Sequence, residues 1–527
     1  MVPVTRMTGG QALVRSMSRE GVRTVFGIPG AGQYEIVDAL WSADDIRYVS
    51  VRNEQATTYM ADGYFRASHE IAGVVVVQGP GFFNTTAGLA TAYDVSSPML
   101  VVTGTNLYGH DAQEAGVDWT TPLTKWTGRV ERPRQIPELV HEAMRQMRTG
   151  RPRPVLIQVD QPVLAAEDDV ALLGPDEYHP EAPGADDIGR AVWTLEESTA
   201  PVIWAGGGVH ASSASESLTK LAEYIQAPVV TSANGKGAIS DRHPLSMGFA
   251  ETRYEPLGRW LAKRDVVLAV GTRTPFPETE GRRAIRIDID PVETTRSQHH
   301  TLGLTGDAKV TLETLLETLS RKMPPRPKTE HKLIAELLKN RFAAHNQVEP
   351  QRSLMDAIRS TVPDDGIVVQ GMNQMGYYSR NYLPVYSSRG YMTSSHHSTL
   401  GHAFPVGLGA KLAASDRAVV VLSGDGGFQY NSQELATAVQ YGINVVSIVF
   451  NDNAYGNVLR AQIEEFGGHV LGTRLHNPDF VALARSYGAT AIKANGPEEL
   501  GSALSKALER GSPTLIEVPV GDMERVY

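Results

Sequence analysis

The chain contains no cysteine among its 527 residues. Disulfides, cysteine-ligated zinc, iron–sulfur clusters and thiol nucleophiles are excluded together. Long apolar runs are also missing: Val74–Val77 and Val445–Phe450 are far shorter than the ~18 residues a membrane span needs. Met1–Gly10 carries no apolar signal core, so export is not expected. Nor is there an excess of basic charge. Asp and Glu number 59 against 49 Lys and Arg, and the net charge of −10 disfavours capture of nucleic acid or an anionic membrane. What is present is an acidic chain with 41% hydrophobic residues, an ordinary globular proportion. It is long enough for about three domains of roughly 150 residues. A cytoplasmic location is expected.

Short apolar runs alternate with longer amphipathic stretches from end to end. Val74–Val77, Met99–Val102, Val155–Val159, Val266–Val270, Val419–Leu422, Val445–Phe450 and Leu515–Val518 have the length and Val/Ile content of buried parallel strands. Ile136–Met147, Ala214–Ile225 and Ser432–Tyr441 read as helices between strands. Repeated βαβ units predict an α/β fold with doubly wound parallel sheets in three domains. Two stretches break the pattern: acidic Ala165–Asp187, and basic Arg321–Lys332 with Pro324, Pro325 and Pro327. Read as linkers, they leave a first block 1–165, a central block 188–320 and a last block 345–527.

The first and last blocks resemble one another. Ala61–Ser68 leads into Val74-Val-Val-Val-Gln-Gly-Pro-Gly81, then Asn84 and Leu89-Ala-Thr-Ala92. Gly407–Ser415 leads into Val419-Val-Val-Leu-Ser-Gly-Asp-Gly426, then Asn431 and Leu435-Ala-Thr-Ala438. The shared order predicts an internal duplication, with Pro80 standing where the other copy has Asp425.

Ser423-Gly-Asp-Gly-Gly427 follows a strand and opens a helix, an arrangement that turns backbone N–H groups toward an anion. Asp425 inside that turn repels phosphate unless a divalent cation lies between them. Asn451-Asp-Asn453 follows the next strand, one βα unit further on, so both sets of oxygens reach one carboxyl edge of a sheet. Taken together they predict a magnesium–diphosphate site. Glu54, after the short strand Tyr48–Val51, opens a helix, where a lone carboxylate is most often a solvated dipole partner. Phe26-Gly-Ile-Pro-Gly-Ala-Gly32 lacks dinucleotide spacing, and Pro29 removes an amide donor; Gly30 and Ala31 read as lining a cleft. Trp204-Ala-Gly-Gly-Gly208 is a better nucleotide turn and leaves FAD or ADP in the central block as a minority reading. No histidine spacing fits zinc.

The combination of Glu54, Gly79-Pro-Gly81, Gly424-Asp-Gly426 and Asn451-Asp-Asn453 resembles the thiamin-diphosphate-dependent 2-keto-acid decarboxylase and acetohydroxyacid synthase superfamily. The resemblance covers essentially the whole chain. Gln78-Gly-Pro-Gly81, Ser97-Pro98, Gln113-Glu114 and Thr124-Lys125 follow the acetolactate synthase pattern most closely, and Gln113 and Lys125 join Gly30 and Ala31 as substrate-pocket candidates.

The resemblance implies that Glu54 binds the cofactor's pyrimidine ring and that the reaction runs by ylid attack, decarboxylation and an enamine. It implies that Gly79, Gly371, Met372, Asn373, Ser398, Leu400, Gly424, Asp425, Gly426, Gly427, Asp452 and Tyr455 surround the cofactor. Asp425, Asp452 and the carbonyl of Ala454 would hold magnesium. A homo-oligomer, at least a dimer and possibly a tetramer, is implied as well, because Glu54 and the diphosphate site come from different subunits in this family.

Position 452 is Asp where the family usually has Asn, and position 461 is Ala where acetohydroxyacid synthases carry tryptophan. An aromatic of those synthases is missing between Gly109 and Gln113. These departures point away from a housekeeping acetolactate synthase. His396 and His397 replace small residues usual there and are candidate catalytic proton donors. The expected activity is that of a lyase or carboligase on a small 2-keto acid. An acyl-coenzyme A lyase of the 2-hydroxyacyl or oxalyl type is the alternative enzyme. A non-catalytic nucleotide-binding regulatory protein is the alternative of another class, and intact Glu54 and Asp425 argue against it.

Overall fold

The apolar runs become strands buried along nearly their whole length, as parallel sheets covered on both faces require. The computed structural model describes residues 3–106, 120–250, 255–273, 282–296, 301–345, 347–394 and 397–525. Three six-stranded parallel sheets follow one another along the chain. The first is built from Thr24–Gly27, Arg47–Ser50, Gly73–Val75, Leu100–Thr103, Trp126–Val130 and Val155–Val159. The central sheet uses Pro201–Ala205, Val229–Thr231, Ser246–Phe249, Val266–Val270, Arg283–Asp288 and Thr301–Thr305. The third uses Ile367–Gln370, Tyr391–Met392, Val419–Gly424, Val446–Asn451, Thr490–Lys493 and Thr514–Pro519.

With strands numbered along the chain within each sheet, the first and third sheets share the order 2-1-3-4-6-5. That identity agrees with the duplication read from the sequence. The central sheet has the order 3-2-1-4-5-6, the arrangement of dinucleotide-binding folds. Among the described residues no helix is long and apolar enough to cross a membrane.

The duplicated domains pack through matching helices. Glu54–Ser68 crosses Ala403–Ala413 at glycine contacts so close that a Cβ on Gly63 would stand 2.0 Å from the Val406 carbonyl oxygen. One apolar core runs through both domains, from Phe26 and Met60 to Phe404 and Leu515, while the central domain has its own around Trp204 and Leu268. Polar contacts tie the central domain on. Arg273 donates to Asp94 Oδ1 at 2.9 Å, and Arg66 reaches both Thr393 O (3.0 Å) and Asn234 Oδ1 (3.4 Å).

One linker reading needs correction. Glu167–Ala171, inside the acidic stretch, is a strand paired antiparallel with Val4–Thr8, and Arg6, opposite Asp169, reaches diagonally to Glu167 at 3.0 Å. Its acidic residues line an edge open to water, so composition alone made it look like a linker. Residues 172–184 form neither helix nor strand.

Candidate active site

Val419–Gly424 carries Gly424 to the carboxyl edge of the third sheet, and the helix Asp425–Gln429 begins at once. The glycines are needed for close approach. A Cβ on Gly426 would stand 2.5 Å from the Tyr455 ring, one on Gly371 2.6 Å from the Leu422 carbonyl, and one on Gly424 3.0 Å from Asn373 Cβ. Asn373 also donates to Leu422 O at 3.0 Å, and Leu400 stands 3.9 Å from a Cβ built on Gly427.

The neighbouring strand Val446–Asn451 brings Asp452 against Asp425. Burial, and then the charge of Asp425, push the Asp452 carboxyl up to about 7. Asp425 is also raised by burial, despite donors from Gly426 N (2.8 Å) and Asn477 Nδ2 (2.6 Å). A cation between two facing carboxylates would favour the ionised form of both. Asn477 additionally donates to Asn451 Oδ1 (2.9 Å) and Asn453 Oδ1 (3.3 Å), and its own carbonyl accepts from Gln429 (2.7 Å). Among the described residues no group of three or more His, Asp or Glu side chains is placed to hold a metal ion. A cation here would therefore combine two carboxylates with backbone and ligand oxygens, a hard-oxygen set.

The second corner belongs to the first domain. Asn53 caps the helix Glu54–Ser68 by accepting from Gln55 N at 2.9 Å, which places Glu54 at its first position. Asn84 Nδ2 donates to Glu54 Oε2 at 3.0 Å. A Cβ on Gly81 would lie 3.4 Å from Glu54 Oε1 and 2.6 Å from Val77, and one on Gly30 would strike Val77 at 2.4 Å. Gly79 turns with φ of 68°, a region open to glycine. Glu54, Gly79, Gly81, Asn84 and Gly30 thus form one contiguous corner, with Ala31 exposed beside it. Third-domain residues flank it: Arg52 N and Asn53 N each donate to Glu434 Oε1 at 3.0 Å, and Asn431 Nδ2 donates to Gln55 Oε1 at 3.3 Å.

Three regions of the chain match the thiamine pyrophosphate enzyme family: its N-terminal TPP binding domain over residues 7–120, its central domain over 188–315 and its C-terminal TPP binding domain over 371–518. The chain belongs to the thiamine pyrophosphate enzymes. It is 33% identical to the "Probable acetolactate synthase large subunit" of Methanocaldococcus jannaschii, over 98% of this chain and 93% of that protein. It is 31% identical to the acetolactate synthase isozyme 3 large subunit of Escherichia coli K12, over 99% and 96%. It is 34% identical to the "Probable 2-ketoarginine decarboxylase" of Pseudomonas aeruginosa, over 98% and 95%. The two TPP binding domains are the duplicated pair, and each supplies one corner.

Other candidate residues of this thiamine pyrophosphate enzyme lie elsewhere. Lys125 does not face the Glu54 corner: its ammonium donates to Gln146 O and Thr149 O, both at 2.6 Å, at the end of the helix Ile136–Arg148. Carbonyls at a helix C-terminus attract a cation, which explains the placement. His397 is exposed, whereas His396 and Gln113 fall outside the described residues. Met372 and Ser398 border a cavity of about 1230 Å³ that extends past Asn234 and Gly207 to Arg273 and Asp288 of the central domain. In the Gly206–Gly208 turn the glycines serve close packing: a Cβ on Gly206 would lie 2.2 Å from Gly271 O.

Glu434, Asn477 and the Asn84–Glu54 contact were missed by sequence reasoning. Asn84 and Asn431 hold equivalent places in the duplicated copies, and that equivalence was a usable signal. Nothing local marks Glu434 or Asn477.

Proposed function

We propose that this enzyme is a lyase or carboligase that uses thiamine diphosphate and magnesium on a small 2-keto acid, in keeping with relatives named acetolactate synthase and 2-ketoarginine decarboxylase. The observation that carries the reading is the Asp425–Asp452 carboxylate pair at a glycine turn that opens a helix. Its residues fit a diphosphate bridged by a hard cation: backbone N–H groups at a helix start, two carboxylates and glycines that bare the backbone.

The bound cofactor supplies an electron sink beside the keto carbon, so that carbon dioxide leaves. The chain's residues do the rest. Asp425, Asp452 and the Ala454 carbonyl would hold the cation, and Gly371, Asn373 and the Gly424–Gly427 turn would hold the diphosphate. Leu400, beside Gly427, would support the bound cofactor from an apolar side. Glu54 would hold or release a proton at its carboxylate toward the cofactor's pyrimidine ring, and Asn84, donating to Oε2, would leave Oε1 for that proton. Glu54 and Asp425 of one chain belong to different active centres, so the working unit is a dimer or a tetramer. Domains of 1–165, 188–320 and 345–527 and a cytoplasmic location complete the reading.

Exhaustive chelation followed by dialysis should release the cofactor, lower the melting temperature and stop carbon dioxide release from a panel of 2-keto acids. Unchanged activity would overturn the reading. A second reading, a flavin or adenine nucleotide in the central domain, has in its favour the 3-2-1-4-5-6 strand order and the large cavity. Mass spectrometry of the small molecules released on denaturation would decide it.

A further inference from the structure

Glu434 is fully buried, yet its carboxylate makes no ion pair within 4 Å among the described residues. Burying a carboxylate is costly unless donors surround it. Here the donors are specific. Arg52 N reaches Oε1 at 3.0 Å and Oε2 at 3.2 Å, Asn53 N reaches Oε1 at 3.0 Å, and the Thr437 hydroxyl reaches Oε2 at 2.5 Å. Two of these donors are consecutive backbone amides immediately before Glu54. Fixing both peptide planes fixes the direction in which the chain enters the helix Glu54–Ser68, and hence where its first side chain points. Asn431, in the same third-domain segment, holds Gln55 on the other flank and also donates to Gly401 O at 2.9 Å.

We infer that Glu434 is a positioning residue for Glu54: it sets the catalytic carboxylate of the first domain from the end of the short 3-10 helix Ser432–Glu434, nine residues after Asp425 (434 − 425 = 9). The inference rests on the proposed proton-handling role of Glu54. It adds that this role requires a carboxylate from the other TPP binding domain of the same chain. Mere fold support would make Glu434 matter for stability alone; positioning makes it matter through Glu54.

Glu434→Gln tests this, because the amide keeps the volume but turns one acceptor into a donor aimed at backbone N–H groups. In cofactor-free protein, amide hydrogen exchange should accelerate over residues 50–56 while the strand Val419–Gly424 keeps its protection. In the holoenzyme kcat should fall between about tenfold and a hundredfold, with KM and cofactor affinity within about twofold. The double variant Glu54→Gln/Glu434→Gln should be no slower than Glu54→Gln, since a residue acting through Glu54 loses nothing further. Additive losses, unchanged exchange or unchanged kcat would each overturn the inference. Should Glu434→Gln not fold, Thr437→Val removes one donor from Oε2 and should shift exchange and kcat the same way by less. If Glu54→Gln alone kept its turnover, the role of Glu54 would fall, while the exchange result would still judge the bridge.

Discussion

The turns Gly79-Pro-Gly81 and Gly424-Asp-Gly426 follow the third strands of sheets that share one strand order, yet they are built differently. Gly79 lies at φ 68°, ψ −118°, a backbone only glycine adopts at ease, and Pro80 opens a helix of 16 residues without an N–H to offer. Gly424 is extended, at φ −83° and ψ 160°, and Asp425 opens a helix of five residues with both a charge and an amide N–H. One turn therefore bares a surface beside Glu54, and the other gathers donors and acidic oxygens. Duplication preserved the scaffold, and single side chains at its corners divided the chemistry.

The largest expected effects test that division directly. Glu54→Gln should lower kcat by about a hundredfold or more with cofactor affinity nearly unchanged, whereas Asp425→Asn should chiefly weaken magnesium and cofactor binding. Titration calorimetry beside steady-state kinetics separates the two; losses in the same parameter from both variants would erase the contrast.

Acid should act next most strongly, and on both copies. His69 caps the end of the Glu54 helix and His402 precedes the Ala403 helix, while His210 lies between Ser388 Oγ (2.9 Å) and Lys236 O (3.0 Å). Burial lowers all three to about 4, with Arg389 adding to the effect at His69 and His210. The unfolded chain then binds more protons than the folded one between about pH 4 and 6.5. Stability should be level with respect to these groups above 6.5 and fall as pH drops through that window, by on the order of a few kcal/mol near pH 5. Denaturant melts from pH 7.5 to 4.5 would measure it, and a flat profile would contradict neutral burial of these rings.

Glycine replacements sharpen the comparison further. Gly79→Ala should cost about 1–3 kcal/mol through its backbone angles. Gly424→Ala should cost less stability but weaken cofactor binding, because its Cβ meets Asn373 and not its own backbone. Smallest of all, Pro80→Asp, at an exposed site, should change stability by no more than about 0.5 kcal/mol. It should also create no second magnesium site in a titration.

Part of the candidate site's geometry was legible along the chain. Asp425 and Asp452 sit one βα unit apart, so the strand and helix periods alone bring them to one edge. Glu54 was legible only by resemblance, since a carboxylate opening a helix is commonplace. The surprises share a cause. Lys125 follows the family pattern but spends its ammonium on the carbonyls of a helix that starts eleven residues later (136 − 125 = 11). Glu167–Ala171 has linker composition but pairs with the strand Val4–Thr8, near the start of the sequence.

Alternation of apolar runs, glycine turns and the repeated Asn and Leu-Ala-Thr-Ala segments determined the three sheets and the duplication, because such patterns express periods of two and 3.6 residues that act locally. Which side chains meet was decided by packing. Arg52 and Glu434 stand 382 residues apart, and Asn477 reaches Asp425 across 52. No local period carries such a contact. It exists because two copies of one fold press their glycine-lined helices together, and the buried carboxylate between them must find donors wherever the packed surfaces offer them.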